Sequence, residues 1–348
     1  MIRIVNGDVR EAMRSLPSES VHCVVTSPPY WGLRNYGVEG QIGREETPEA
    51  YVSTMVDVFR DVWRILRPDG TLWLNLGDSY AANRSYQVRD GKSRDVFNHQ
   101  PMTVPMGFKP KDLIGIPWRV AFALQAEGWY LRTDIVWSKP NPMPESVKDR
   151  PTRSHEFLFL MSKSPTYFYD AGAIMEPCLN ASDDQRRKSR TSVPVESQND
   201  QGRINRIVPK TDKQRGHSRR HAGFNDRWDK MTREEQTTGM RNKRSVWRVA
   251  TRPFCGAHFA TFPPELIRPC ILAGCPEGGT VLDPFGGAGT TGLVAEGTGR
   301  NSILVELNPS YVSLMASRLK KHFGMMLDLS VSSSIPATEG GGLHEKIG

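Results

Sequence analysis

The sequence has no run of about 18 apolar residues, so no membrane-spanning helix is expected. Its opening residues, MIRIVNGDVREAM, lack the apolar core of a secretion signal and read as part of a fold. The five cysteines, Cys23, Cys178, Cys255, Cys270 and Cys275, form no C-x-x-C pair. Their odd number and scattered spacing argue against a zinc site and a disulfide framework alike, so no metal is expected and a reducing cytoplasm fits best. There is no G-x-x-x-x-G-K-[ST] phosphate cradle and no internal repeat.

Charge is plentiful but unevenly placed. The 348 residues carry 46 Lys and Arg against 38 Asp and Glu, a net charge of +8. Residues 180–245 hold 17 basic and 9 acidic side chains, so that one polar segment contains the whole excess. Such a footprint suits a polyanion, most simply nucleic acid, although a solvated loop would have the same composition.

Elsewhere, short apolar runs alternate with helical patterns, the signature of a mostly parallel α/β sheet. Strands are expected at residues 2–5, 21–26 and 71–77, with RPDG (67–70) as the turn before the last. Thr47-Pro48 opens a helix, as do Pro263-Pro264 and Pro309. HEFLFLMSKS and YFYD (155–170) read as an antiparallel hairpin, and residues 79–111 as a polar loop. The expected organisation is 1–170, a basic insertion at 171–245, a second half at 246–325, and a disordered tail at 326–348.

Two motifs carry chemistry. In VVTSPPYWG (24–32), paired prolines stiffen a corner after a strand and leave it carbonyls without competing N–H donors, a hydroxyl and an aromatic face. In VLDPFGGAGTTG (281–292), a strand runs through glycines into a helix, where backbone N–H groups could meet an anionic group. Glu306 ends the next strand, where an acid can accept hydrogen bonds from a ribose diol. An adenosine-bearing ligand, an acceptor-lined corner and a basic segment together suggest group transfer to a nucleobase. An exocyclic amino group is a weak nucleophile that needs acceptors for its hydrogens, and an aromatic ring can stack on a base swung out of the duplex.

TSPPYWGL followed much later by DPFGGAGTTG resembles the amino-group DNA methyltransferases of the permuted beta class, in which the catalytic motif precedes the cofactor motif. The resemblance spans roughly residues 1–170 and 245–325. It implies an α/β, Rossmann-like, S-adenosylmethionine-dependent methyltransferase fold with an inserted target-recognition region. By the same resemblance, Ser27, Pro28, Pro29 and Tyr30 form the catalytic corner. Asp8, Phe262, Pro263, Asp283, Phe285, Gly287, Gly289, Thr290, Thr291 and Glu306 bind the cofactor. Trp137, Lys139 and Asn141, in IVWSKPN, line the target-base pocket.

Within the basic segment, Arg186, Arg187, Lys188, Arg190, Arg203, Arg206, Arg219, Arg220, Arg241, Lys243 and Arg244 are the expected contacts to double-stranded DNA. Plainer roles stand beside these: Asp8 could cap the following helix, Thr290 and Thr291 could serve as helix-start residues, and Trp73 and Trp118 suit a core. Serine at position 27 favours N4 of cytosine over N6 of adenine, because the family's cytosine-directed members usually carry Ser-Pro-Pro-Tyr. A hydroxyl both donates and accepts, which leaves approach to a pyrimidine ring nitrogen open. An RNA methyltransferase and an inactive DNA-binding module remain alternatives. The resemblance also leaves open a homodimer and a separately acting restriction endonuclease.

Overall fold

The computed structural model describes residues 1–33, 37–81, 104–105, 107–177, 240–251, 262–324 and 327–334. Two compact units are present. One comprises Ile174–Lys243, and the other comprises Met1–Ala173 with Arg244–Gly348. In the smaller unit, β6 (Glu176–Pro177) and β7 (Met240–Arg241) pair antiparallel.

The larger unit is built on one nine-stranded sheet. Its strands are β1 (Ile2–Asn6), β2 (Val21–Thr26), β3 (Leu66–Leu76), β4 (Tyr130–Ser138), β5 (His155–Ser162), β8 (Val246–Arg248), β9 (Thr280–Asp283), β10 (Asn301–Glu306) and β11 (Leu329–Ser333). Their order is β11-β1-β10-β9-β2-β3-β5-β4-β8, parallel throughout except for β5, which runs antiparallel to β3 and β4. From β9 the chain winds outward to β10, and from β2 it winds the other way to β3. The β2–β9 boundary is therefore the switch point at which open α/β sheets form their binding crevice.

The helices are α1 (Val9–Arg14), α2 (Pro48–Ile65), α3 (Ile116–Ala126), α4 (Pro264–Gly274), α5 (Thr290–Glu296) and α6 (Pro309–Phe323). Helix α2 begins as its sequence dictates: Thr47 accepts a hydrogen bond from Ala50 N, and Pro48 fills the first turn, where no N–H partner is needed. Its apolar stripe of Tyr51, Met55, Val58, Phe59, Val62 and Ile65 is buried and packs in the main core with α1 and α3. Helix α6 starts on an Asn308 cap and buries Val312, Met315 and Leu319 against Ile2, Ile4 and Leu304. Among the described residues, no helix is long and apolar enough to cross a membrane.

Three local expectations are corrected. RPDG is not a turn before β3 but lies within it. The β2–β3 register shifts between Val21 and Cys23, which absorbs the segment as an irregularity. YFYD forms no hairpin strand: β5 pairs with β3 and β4, while Phe168 N and Asp170 N bond to the Asp69 and Ala273 carbonyls. The tail is ordered at its start, because Leu329–Ser333 adds to β1 as a parallel edge strand. Residues 335–348 lie outside the described residues.

Candidate active site

Parallel strands place their C-terminal ends on one edge of the sheet. The segments leaving β1, β2, β9 and β10 therefore converge, although they lie far apart in the chain. They carry Gly7-Asp8, Ser27-Pro28-Pro29, Pro284 through Ala288, and Leu307-Asn308. Between them lies a cleft of about 960 Å³ of empty space, with the open solvent at its mouth included. Asp8, Ser27, Pro29, Phe262, Asp283, Phe285, Gly287, Thr290 and Glu306 line it, so most of the expected cofactor residues meet the corner in one cavity.

The two motifs are tied together by one buried carboxylate. Asp283, only 1% exposed, accepts from Thr26 Oγ1 at 2.7 Å, Thr291 Oγ1 at 2.6 Å and Phe285 N at 3.1 Å. Burial still pushes its pKa up to about 6, since three donors replace only part of the lost hydration. Glu306 holds the loop in a similar way, taking Gly287 N on one oxygen and Asn308 N on the other, each at 2.9 Å. Burial raises its pKa to about 7. Asp8 both caps α1 through Arg10 N, at 2.8 Å, and forms a two-pronged pair with the Arg10 guanidinium, which holds its carboxyl below the usual range. The helix-cap role and a place on the cleft wall are both realised.

The glycine loop differs in detail from expectation. Phe285 N, Gly286 N, Gly287 N and Gly289 N bond to Asp283, Val305 O, Glu306 and Gly286 O, so these amides hold the loop itself. Gly289 and Thr291 do not line the cleft. Gly289 caps α5 at φ +74°, where an added Cβ would lie 2.5 Å from Met315 Cγ, and Thr291 anchors Asp283. Pro263 caps α4 and likewise stands off the cleft wall. Arg318, unremarked in the sequence, donates to Ala288 O at 2.7 Å and Thr290 Oγ1 at 3.0 Å from behind the loop.

The corner is pinned from several sides. Tyr51 on α2 donates to the Pro29 carbonyl at 2.9 Å, and the Trp31 ring donates to Glu45 O at 2.8 Å. Among the described residues no donor reaches the Pro28 carbonyl. The Tyr30 hydroxyl lies 3.2 Å from Ser27 Oγ, 3.1 Å from Asn75 Oδ1 and 2.7 Å from Glu156 Oε2. Burial and the adjacent Glu156 keep its pKa well above the ordinary phenol value. Glu156 forms an ion pair with Lys139, whose ammonium also sits 4.4 Å from the Trp137 ring centroid.

Of the residues expected around the target base, only Lys139 therefore connects with the corner, through Glu156. Trp137 is 3% exposed and donates to Val249 O at 2.8 Å as a core residue. Asn141 clamps Thr251 with two hydrogen bonds of 2.9 Å. Neither side chain lines the cleft. Trp73 is a core residue. Arg241 pairs with Glu176 at 3.0 Å, and Arg244 is exposed. Arg186, Arg187, Lys188, Arg190, Arg203, Arg206, Arg219 and Arg220 lie outside the described residues.

Sequence reading missed Asn75, Glu156 and Tyr51, and also the cleft wall formed by Val38, Gly40, Gln41 and Ile42. For that last segment a signal existed, since VEGQIG is glycine-punctuated and begins at Val38, soon after the corner.

Three comparisons with known proteins agree with this geometry. A family model described as DNA methylase, of the N6/N4 methyltransferase type, matches residues 21–317. The chain is 49% identical over 319 residues to the Type II methyltransferase M.XycI of Xanthomonas campestris pv. cyanopsidis, covering 91% of this chain and 87% of that one. It is 47% identical over 319 residues to the Type II methyltransferase M.SmaI of Serratia marcescens, covering 91% and 90%. Among solved structures, a putative DNA modification methylase of Thermus thermophilus, complexed with S-adenosyl-L-methionine, aligns with a TM-score of 0.55 at 25% identity over 95% of this chain and 99% of that one. The PvuII DNA methyltransferase (cytosine-N4-specific) aligns with a TM-score of 0.57 at 21% identity, over 90% and 85%, and so shares the fold. The chain belongs to the N6/N4 family of DNA methylases.

Proposed function

We propose that this protein is a Type II DNA methyltransferase that moves a methyl group from S-adenosyl-L-methionine to N4 of a cytosine swung out of duplex DNA. The observation that carries the reading is that Ser27 and Pro29 line the same cleft as Glu306 and the glycine loop. The cofactor fits this cleft on chemical grounds. Three carboxylates, Asp8, Asp283 and Glu306, line it, suiting a cationic sulfonium and a hydroxyl-bearing ribose, and Phe262, Phe285 and Tyr311 supply flat apolar surface. Glu306 would hold the ribose, Asp8 the outer end of the nucleoside, and Phe262 and Phe285 the apolar body. When bound, the cofactor supplies an electrophilic methyl group.

The chain's own part is to position and to accept protons. Ser27 Oγ and the Pro28 carbonyl would take hydrogen bonds from the target amino group, drawing electron density onto nitrogen as its lone pair forms the new N–C bond while the methyl carbon's bond to sulfur breaks and leaves its electron pair on sulfur. The surplus amino proton leaves through the same acceptors to solvent. The corner motif Ser27-Pro28-Pro29-Tyr30 contains no cysteine, so nothing in it supports covalent attachment to the base ring.

Serine at position 27 supports cytosine as the target. The basic segment supports duplex DNA, with its arginines and lysines on phosphates. Expression in a methylation-free bacterium, followed by hydrolysis of the genomic DNA and mass spectrometry of the nucleosides, tests the reading. N4-methylcytosine supports it. N6-methyladenine keeps the family and refutes serine as a guide to the base. Neither mark, from protein that binds the cofactor, points to an RNA substrate or an inactive binder.

A further inference from the structure

We infer that Glu156, acting through Tyr30, is a positioning residue that fixes the Ser27 hydroxyl as a hydrogen-bond acceptor toward the cleft. The inference rests on the proposed role of Ser27 opposite a target amino group.

The hydrogens along this chain can be counted. Glu156 presents one oxygen to the Lys139 ammonium and the other, at 2.7 Å, to the Tyr30 hydroxyl. A carboxylate in an ion pair has no hydrogen to give, so Tyr30 donates to it. Asn75 cannot reverse this. Its amide nitrogen donates to Phe157 O at 3.0 Å, which turns its oxygen, another acceptor, toward Tyr30 at 3.1 Å. The phenol has a single hydrogen and two acceptors competing for it. Its contact with Ser27 at 3.2 Å is therefore made by the serine hydrogen, with Ser27 donating and Tyr30 accepting. A phenol held protonated by burial and by the neighbouring carboxylate keeps that direction.

Ser27 is left with lone pairs only on the side that lines the cleft. It is then complementary to a group that donates, as an exocyclic amino group does, and mismatched to a carbonyl or an unprotonated ring nitrogen. That removes the ring-nitrogen approach a free hydroxyl would allow. Selection between amino and keto bases at this atom thus comes from Glu156, which does not itself line the cleft. Lys139 anchors the far end of the chain, and Trp137 packs on Lys139.

The test uses the full-length protein, with labelled S-adenosyl-L-methionine and unmethylated bacterial genomic DNA as probes. The wild type is assayed first, and its product is identified by mass spectrometry. Glu156→Gln and Tyr30→Phe are each expected to lower kcat by on the order of 100-fold, as misdirection of one reacting contact does, with cofactor affinity and the KM for DNA unchanged. The double variant is expected to be no slower than the slower single variant, because both substitutions break one chain. Wild-type kcat in either single variant, or losses that multiply in the double variant, would overturn the inference. If Glu156→Gln loses cofactor binding, it has unfolded through the stranded Lys139. Tyr30→Phe, which leaves the ion pair intact, then decides alone: reduced kcat supports the inference and wild-type kcat overturns it. A wild type that transfers no methyl group to DNA refutes the functional reading instead, and the inference falls with it.

Discussion

With Glu306 as the proposed ribose acid, cofactor binding becomes a titration whose direction follows from the surroundings of Glu306. Its carboxyl group is nearly enclosed, and desolvation raises its pKa from 4.5 to about 7, only partly opposed by hydrogen bonds from Gly287 and Asn308. Ribose hydroxyls donate best to the ionised form. If binding requires that form, the apparent affinity scales with the ionised fraction, which is about one tenth at pH 6 and about nine tenths at pH 8. The dissociation constant is then expected to be roughly tenfold weaker at pH 6 than at pH 8, about 1.4 kcal/mol, with nearly one proton released per cofactor bound at the lower pH.

Isothermal titration in buffers of different ionisation heat measures both quantities. The cofactor's own α-amino group also titrates near this range, about pH 7.7–8.0 for comparable amines, so Glu306→Gln is the control that isolates the protein's share. The variant is expected to bind more weakly at pH 8 and to lose the tenfold slope. An equal slope in the wild type and Glu306→Gln, or a wild-type affinity that is flat from pH 6 to 8, would refute the assignment of Glu306 as the ribose acid. The ligand-free protein gives a second reading of the same group. Because the folded pKa lies above the unfolded one, the folded state takes up a proton first. Stability should therefore rise as the pH falls from about 7 toward 4.5, by at most roughly 3 kcal/mol from this group.

Three further outcomes are expected. Ser27→Ala should lower kcat more than cofactor affinity, measured by single-turnover transfer and by titration, and equal loss of both would make the corner chiefly structural. Gly289→Ala places a Cβ 2.5 Å from Met315 Cγ at φ +74°, and thermal denaturation should show about 1–3 kcal/mol of destabilisation together with weaker cofactor binding. Neutralising Arg186, Arg187, Lys188 and Arg190 together should weaken DNA binding and flatten its salt dependence by about 0.9 in log–log slope for each phosphate no longer neutralised. An unchanged slope would remove that segment from the DNA interface.

What the sequence disclosed, it disclosed through local chemistry. Thr47-Pro48 and Pro309 announce helices because a cap or a proline acts within one turn. Asp283 and Glu306 were legible because a strand, a glycine loop and the next strand's end lie within about 25 residues. Glu156 and Asn75 were not legible. They meet Tyr30 only because β5 runs back along β3 in a register that sets Leu158 opposite Asn75, and no short-range periodicity encodes that alignment. The contacts of Trp137 and Asn141 were out of reach for the same reason: they depend on the pairing of β4 with β8, which brings the two side chains to Val249 and Thr251. RPDG was misread for the opposite reason: its turn chemistry is real, but β2 accommodates it as a register shift inside a continuous strand.

The motif order also has a physical reading. In a parallel sheet every strand delivers its C-terminal end to the same edge, so a site on that edge is defined by which strands are neighbours, not by which comes first in the chain. Here Thr26 and Asp283 are 257 residues apart, yet share a hydrogen bond of 2.7 Å because β2 lies beside β9. Placing the corner before the cofactor loop leaves that adjacency intact. It also places the long connection from β5 to β9, which contains the basic segment, between the two halves of the site's sequence. The hydrogen bond from Thr26 to Asp283 is the joint of this arrangement. Thr26→Val would leave the buried carboxylate with two donors instead of three. It should loosen cofactor loop and corner together, whereas Ser27→Ala affects the corner alone.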